Sequence, residues 1–200
     1  MMRVILLLIL VAPPLWAQDD LPGFPALHDV RGVAADDVLN IRAEPSAASA
    51  IMGTLAPDAR GVEVVGLRGG WYVVNAAEGT GYVNPTFLAA EDAPDWRALS
   101  TPLSCFGTEP FWGLSFAPAK GKATLNLFGD AARDMAVTAL WPALPWAPQA
   151  GVGLDGGTAV MRGQVCSDGM SDRTYGIAVD LFLSGPAPAR YSGCCSLVFR

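Results

Sequence analysis

"GVEVVGLRGGWYVVNA" (residues 61–76) decides the reading of the first half of the chain. Two short runs of β-branched and aromatic residues flank Gly69-Gly70. A glycine pair supplies the positive φ that a tight turn demands, so the stretch reads as a hairpin. Its neighbours have the same character. HDVRGVA (28–34) reads as a strand. In DVLNIRAEPS (37–46), Leu39, Ile41 and Ala43 fall on one face and Val38, Asn40 and Arg42 on the other, until Pro45-Ser46 ends the run. AIMGTLAP (50–57) and GTGYVNPTFLA (79–89) complete the set. Five short strands in so few residues suit a small closed barrel, which covers its own edges.

The order DVLNIRAEPS, IMGTLAPDARGVEVVG, GGWYVV, GTGYVNPTFL resembles the bacterial SH3-like domain, SH3b, across residues 28–90. Tyr82 stands where a Trp is common in that pattern. The resemblance implies a binding module of exported cell-wall proteins, some of which bind peptidoglycan peptides. Trp71, Tyr82 and Asn84 are the candidate ligand-binding residues. Core packing of the two rings is the competing expectation, since a large ring in a tiny barrel is usually buried at least in part.

Residues 105–200 form a second strand-rich region. FWGLSFA, KATLNLF, MAVTALW, TAVMRGQV, YGIAVDLFL and CCSLVF are short apolar or alternating runs separated by Gly, Pro or Asp. They predict six to eight antiparallel strands in a small barrel or sandwich. The whole chain thus reads as all-β: an SH3-like barrel (28–90), a linker (91–104) and a disulfide-stapled β domain (105–200). A turn or two of helix is expected within the linker.

Composition agrees. The chain is 52% hydrophobic and 16% charged, with 22 Gly and 16 Pro, which permits a packed core and demands many turns. Net charge is −6. Residues 18–104 carry five arginines against twelve acidic residues, and residues 105–200 carry seven of each sign. Neither half has the basic stripe that nucleic-acid binding needs. Residues 1–17 have the layout of a secretory signal peptide: Arg3, an apolar run from Val4 to Ala12, Pro13-Pro14, and Ala17 before a cut. That run is too short for a membrane anchor, and Pro142, Pro145 and Pro148 interrupt the other long apolar stretch, so the mature chain is expected to carry no transmembrane anchor. The expected location is periplasmic or secreted.

Export makes two disulfides the simplest state of the four cysteines, all of which lie in the second half. In GCCSLVFR, Cys195, Leu197 and Phe199 share a face opposite Cys194, Ser196 and Val198. A bond between vicinal cysteines in a strand is strained. The apolar face suits a Cys105–Cys195 bridge near the FW of CFGTEPFW. The polar face suits Cys166–Cys194 beside an Asp-rich loop.

CFGTEPFWGL (105–114), CSDGMSDRTYG (166–176) and the late GCC resemble a family of bacterial exported proteins of unassigned function. That resemblance implies no chemistry. Asp168-Gly169 reads as a turn, Asp172 can fold back on backbone N–H groups, and Arg173 can pair with Glu109 or Asp172. The loop therefore reads as a rigid turn, with Asp168, Asp172, Arg173 and Glu109 available to a partner. Calcium would need more carboxylates at closer spacing, and zinc would need ligands that adjacent strand cysteines cannot jointly supply. The one histidine, His28, lies in the other half, which removes Cys-His and Ser-His-Asp catalysis from residues 105–200. No catalytic residue, metal or cofactor is assigned. The expected function is non-catalytic binding of peptidoglycan or an envelope protein. The alternatives are a carboxylate-dependent envelope enzyme using Glu109, Asp168 or Asp172, and a protein-binding or inhibitory role for the second domain.

Overall fold

The computed structural model describes residues 23–197. The signal peptide expected at residues 1–17 lies outside the described residues. Among those described, no helix is long and apolar enough to cross a membrane.

The N-terminal module has eight short strands: β1 (Ala26–Val30), β2 (Leu39–Arg42), β3 (Ile51–Leu55), β4 (Val62–Val64), β5 (Gly66–Arg68), β6 (Trp71–Ala76), β7 (Gly79–Val83) and β8 (Leu88–Ala90). They form two sheets, β4-β1-β8 and β3-β2-β7-β6-β5. Alternation is as read from sequence: Leu39 and Ile41 are buried between half-buried Asn40 and Arg42. These two join Val30, Val64, Val74, Val83 and Leu88 in one core. The expected strand 28–34 is shorter and displaced. It begins at Ala26 and ends at Val30, because the chain then turns away through Gly32 at φ +68°. The run 62–68 is split at Val65, where the chain leaves one sheet and enters the other. His28 is buried beside Tyr72, with Nδ1 3.1 Å from the Ala26 carbonyl oxygen, and burial lowers its pKa.

The second region is a closed eight-stranded antiparallel barrel rather than a sandwich. Its strands are β9 (Leu103–Thr108), β10 (Phe111–Ala117), β11 (Lys122–Leu127), β12 (Arg133–Trp141), β13 (Ala150–Leu154), β14 (Gly157–Cys166), β15 (Tyr175–Leu183) and β16 (Ala189–Ser196). Apolar side chains fill the interior, among them Leu114, Phe116, Leu125, Met161, Ile177, Val179 and Leu181. Charged partners such as Asp180, Arg162 and Arg190 pair on the other face of the same strands. The segment expected to join the halves contributes to this interior: Trp96 and Leu99, around a single 3₁₀ turn, are buried in the barrel core.

β16 closes the barrel against β9, with Cys195 opposite Cys105. Closure explains Gly107 and Gly193, one on each of the two strands that it joins. A Cβ at Gly193 would lie 2.0 Å from the Phe106 carbonyl oxygen, and one at Gly107 would lie 2.5 Å from that of Ser192. The Trp112 indole N–H donates to the same Ser192 oxygen at 3.2 Å. The bridges are Cys105–Cys195 inside the barrel and Cys166–Cys194 outside it, the pairs favoured by strand alternation.

Candidate functional site

The N-terminal module carries a groove of about 450 Å³ lined by Trp71, Asn84, Phe87, Val38, Asn40 and Arg42 among others. Each wall has a local cause. Gly69 and Gly70, at φ +56° and +80°, turn the chain so that β6 starts with Trp71. Side chains alternate along β6, so Val74 enters the core and Trp71, three residues earlier, faces the other way and stays half-buried. Asn84 caps the 3₁₀ turn Pro85–Phe87, its Oδ1 accepting from the Thr86 N–H at 3.0 Å, and this fixes both Asn84 and Phe87 on the rim. The Arg42 guanidinium is held by the Ser49 carbonyl at 2.8 Å. The result is an aromatic wall beside a fixed cation and a carboxamide, a surface suited to a short polar chain with an apolar side group.

Of the three residues expected to bind ligand, two line this groove. Tyr82 does not. It is buried, and its hydroxyl accepts from Arg68 Nη1 at 3.2 Å. Tyr82 is thus covered by its neighbours without joining the module's core cluster, while Trp71 keeps an open face.

The loop CSDGMSDRTYG is built differently from its expected form. Asp168, not Asp172, folds back on the backbone. Its carboxylate accepts from the N–H groups of Met170 (3.0 Å) and Ser171 (2.9 Å), from the Ser171 hydroxyl (2.9 Å) and from the Tyr175 hydroxyl (3.3 Å). Burial pushes the Asp168 pKa up, but the Ser171 and Met170 N–H groups and the two hydroxyls outweigh it and hold it below the usual carboxylate range. A general acid needs the opposite shift. Tyr175 is buried beneath the loop with its ring edge-on to Phe106, and Cys166–Cys194 ties down the loop's start.

Arg173 pairs with neither Glu109 nor Asp172. Its Nη2 meets Glu78 at 3.3 Å and its Nε donates to the Ala77 carbonyl at 2.6 Å. The reason is a short parallel bridge between Asp172 and Gly79, which lays the loop along the β6–β7 turn of the N-terminal module. The Asp172 N–H donates to Glu78 O (2.9 Å), and its carbonyl accepts from the Thr80 hydroxyl (2.9 Å). Asn75 completes the seam. Its side-chain NH₂ donates to Thr174 O at 2.8 Å, and its Oδ1 accepts from Thr174 N–H at 3.0 Å, which copies a strand pair with an amide side chain. A second clasp forms where the Glu63 carboxylate accepts from the Ser196 hydroxyl and the Leu197 N–H. The partner of Asp172 and Arg173 is therefore this chain's own N-terminal module. Glu109 stands apart, exposed, on a polar hollow of about 350 Å³ with Thr108, Ser167 and Asp168.

Residues missed from sequence are Asn75 and Glu63, which make these clasps, and Asp180. The Asp180 carboxylate sits among Ser192 (2.7 Å), Arg190 (2.9 Å) and Arg162 (2.9 Å) across β14–β16. Strand alternation places Arg162, Asp180 and Arg190 on even positions, opposite the buried Met161, Val179 and Leu181; that was the available signal.

Residues 37–89 match the family model of the bacterial SH3 domain. The match takes in β2 to β7 and every groove residue from Asp37 onward. No curated protein and no solved structure matches the chain. The exported-protein family that residues 105–200 resemble in their motifs gains no support from these comparisons. Bacterial SH3 domains are commonly cell-wall binding modules, and a binding role is consistent with this match.

Proposed function

We propose that this chain is an exported, non-catalytic envelope protein whose SH3 module holds a short peptide of the cell wall, such as a peptidoglycan stem, in the Trp71 groove. The observation that supports the reading most directly is Trp71 itself, half-exposed at the groove while its neighbour Val74 fills the core. The ring would cover an apolar side group, Arg42 would meet a carboxylate, and Asn84 would read the peptide backbone. Two disulfides fit an oxidising, extracytoplasmic setting. In this reading the barrel is a rigid support that fixes the β6–β7 turn behind the groove, and Asp172 and Arg173 serve that support.

The test is co-sedimentation of the disulfide-intact protein with purified peptidoglycan, with Trp71→Ala compared at matched folding by circular dichroism. Binding by wild type and a loss of roughly tenfold or more in the variant is expected for one stacked ring. Wild-type protein that stays in the supernatant sinks the proposed ligand. A folded variant that binds as well as wild type sinks the groove.

A further inference from the structure

The turn between β12 and β13 is the most apolar exposed feature among the described residues. No charged residue occurs between Asp134 and Asp155, and Thr138 and Gln149 are the only hydroxyl or amide side chains there. Yet this stretch is not hidden. Trp146 is 80% exposed, Trp141 54%, Leu144 49% and Leu140 40%.

The turn is also rigid. Leu144 and Ala147 exchange two backbone hydrogen bonds of 2.9 Å each, which leaves Pro145-Trp146 at the tip. Pro142, Pro145 and Pro148 each fix a φ angle and lower the entropy lost on ordering. At the base the Ala143 N–H donates to Arg97 O at 3.1 Å. The nearest charges there, Arg97 and Asp95, face each other at 3.3 Å. The Trp141 ring lies along β13, where Cβ atoms at Gly151 and Gly153 would come within 3.1 and 3.2 Å of it. The two glycines make a flat seat, and the outer side of the ring remains open. The turn is thus a preformed apolar finger with two indoles.

We propose that this finger inserts into the interfacial zone of a phospholipid bilayer. The chemistry selects that occupant over others. Indoles with Leu and no charge match the level where acyl chains meet headgroups, which favours Trp. A glycan would need more hydrogen-bonding side chains than Thr138 and Gln149 provide. The prolines at every third position would suit a partner that reads an extended proline helix, but the Leu144–Ala147 turn is closed. Charge plays no attractive part, because the chain's net charge is −6. A single small finger gives reversible contact, in which an envelope protein keeps its groove free while resting on a membrane.

The experiment is flotation of the disulfide-intact protein with phosphatidylcholine vesicles, read together with tryptophan emission. Wild type should float and its emission should shift to the blue. Trp146→Ala should lower partitioning roughly tenfold, from the loss of part of one indole's buried area. Trp71→Ala and Phe128→Ala, an exposed ring in another turn, should float as wild type does; this separates the finger from the SH3 groove. Doping the vesicles with phosphatidylglycerol should not improve binding at low salt. The proposal is overturned if wild type does not float, if folded Trp146→Ala floats equally well, or if the finger instead drives self-association seen by sedimentation without lipid.

Discussion

Replacing Asn75 by Ala isolates the seam between the SH3 module and the barrel. The Asn75 side chain lies opposite the core face of β6, where Tyr72, Val74 and Ala76 pack, so its removal leaves the module's own core intact. What it removes is the hydrogen-bonded pair to Thr174, at 2.8 and 3.0 Å, and a longer contact in which Asn75 Oδ1 accepts from the Thr80 hydroxyl at 3.4 Å. Each such bond contributes about 1 kcal/mol net, and each backbone group left partly buried without a partner adds to the loss. Thr174 is half-buried, so water reaches it in part and the total should be roughly 2–3 kcal/mol for opening of the loop. Hydrogen exchange followed by mass spectrometry reads this directly. Peptides covering Arg173 and Thr174 should exchange roughly 30- to 150-fold faster, while those covering Val74 and Ile177 stay near wild type. Asn75→Asp keeps the acceptor for the Thr174 N–H but sets an oxygen against Thr174 O, so it should be at least as damaging. Unchanged exchange at Thr174 in a folded Asn75→Ala protein would show that the loop is held by the barrel alone and that the seam is incidental.

Removing the outer bridge with Cys166→Ala and Cys194→Ala together should cost ~2–4 kcal/mol in urea unfolding and raise exchange across 167–174, while Cys105–Cys195 survives in a non-reducing peptide map; equal protection of the loop in the double variant would contradict its stapled character. Acid should weaken the barrel through Asp180. Burial raises its pKa, but Ser192, Arg190 and Arg162 hold it down to about 2 from 3.8, so its stabilisation is complete above about pH 4 and is lost as pH falls toward 2. That shift corresponds to ~2 kcal/mol at most, since Arg190 is largely exposed and screened. Asp180→Asn should flatten the stability profile between those pH values, and parallel wild-type and variant profiles would refute the assignment.

The period of two was legible because it is local. Leu39 and Ile41 against Asn40 and Arg42 identify a half-buried strand without reference to any partner, and the same alternation in GCCSLVFR sorts Cys194 from Cys195. It failed where glycine erased it. AGVGL is not among the strand runs named from sequence, yet β13 is buried on both faces, because Ala150, Val152 and Leu154 point inward while the Trp141 ring covers the glycines between them. The candidate sites were harder, since each depends on what a side chain meets far away along the chain. Arg173 has carboxylates nearby in sequence, but its partner Glu78 is 95 positions away and is supplied by a bridge that no local pattern encodes. Trp71 and Tyr82 carry the same large apolar ring signal, and only tertiary packing buries one and leaves the other at a groove. The loop's composition therefore records a requirement of the seam. Asp168 rigidifies the turn from within, which lets Asp172 and Thr174 present backbone groups at fixed spacing to Glu78, Thr80 and Asn75. A softer loop would lose that entropy on docking and hold the β6–β7 turn, and with it the wall that starts at Trp71, less firmly.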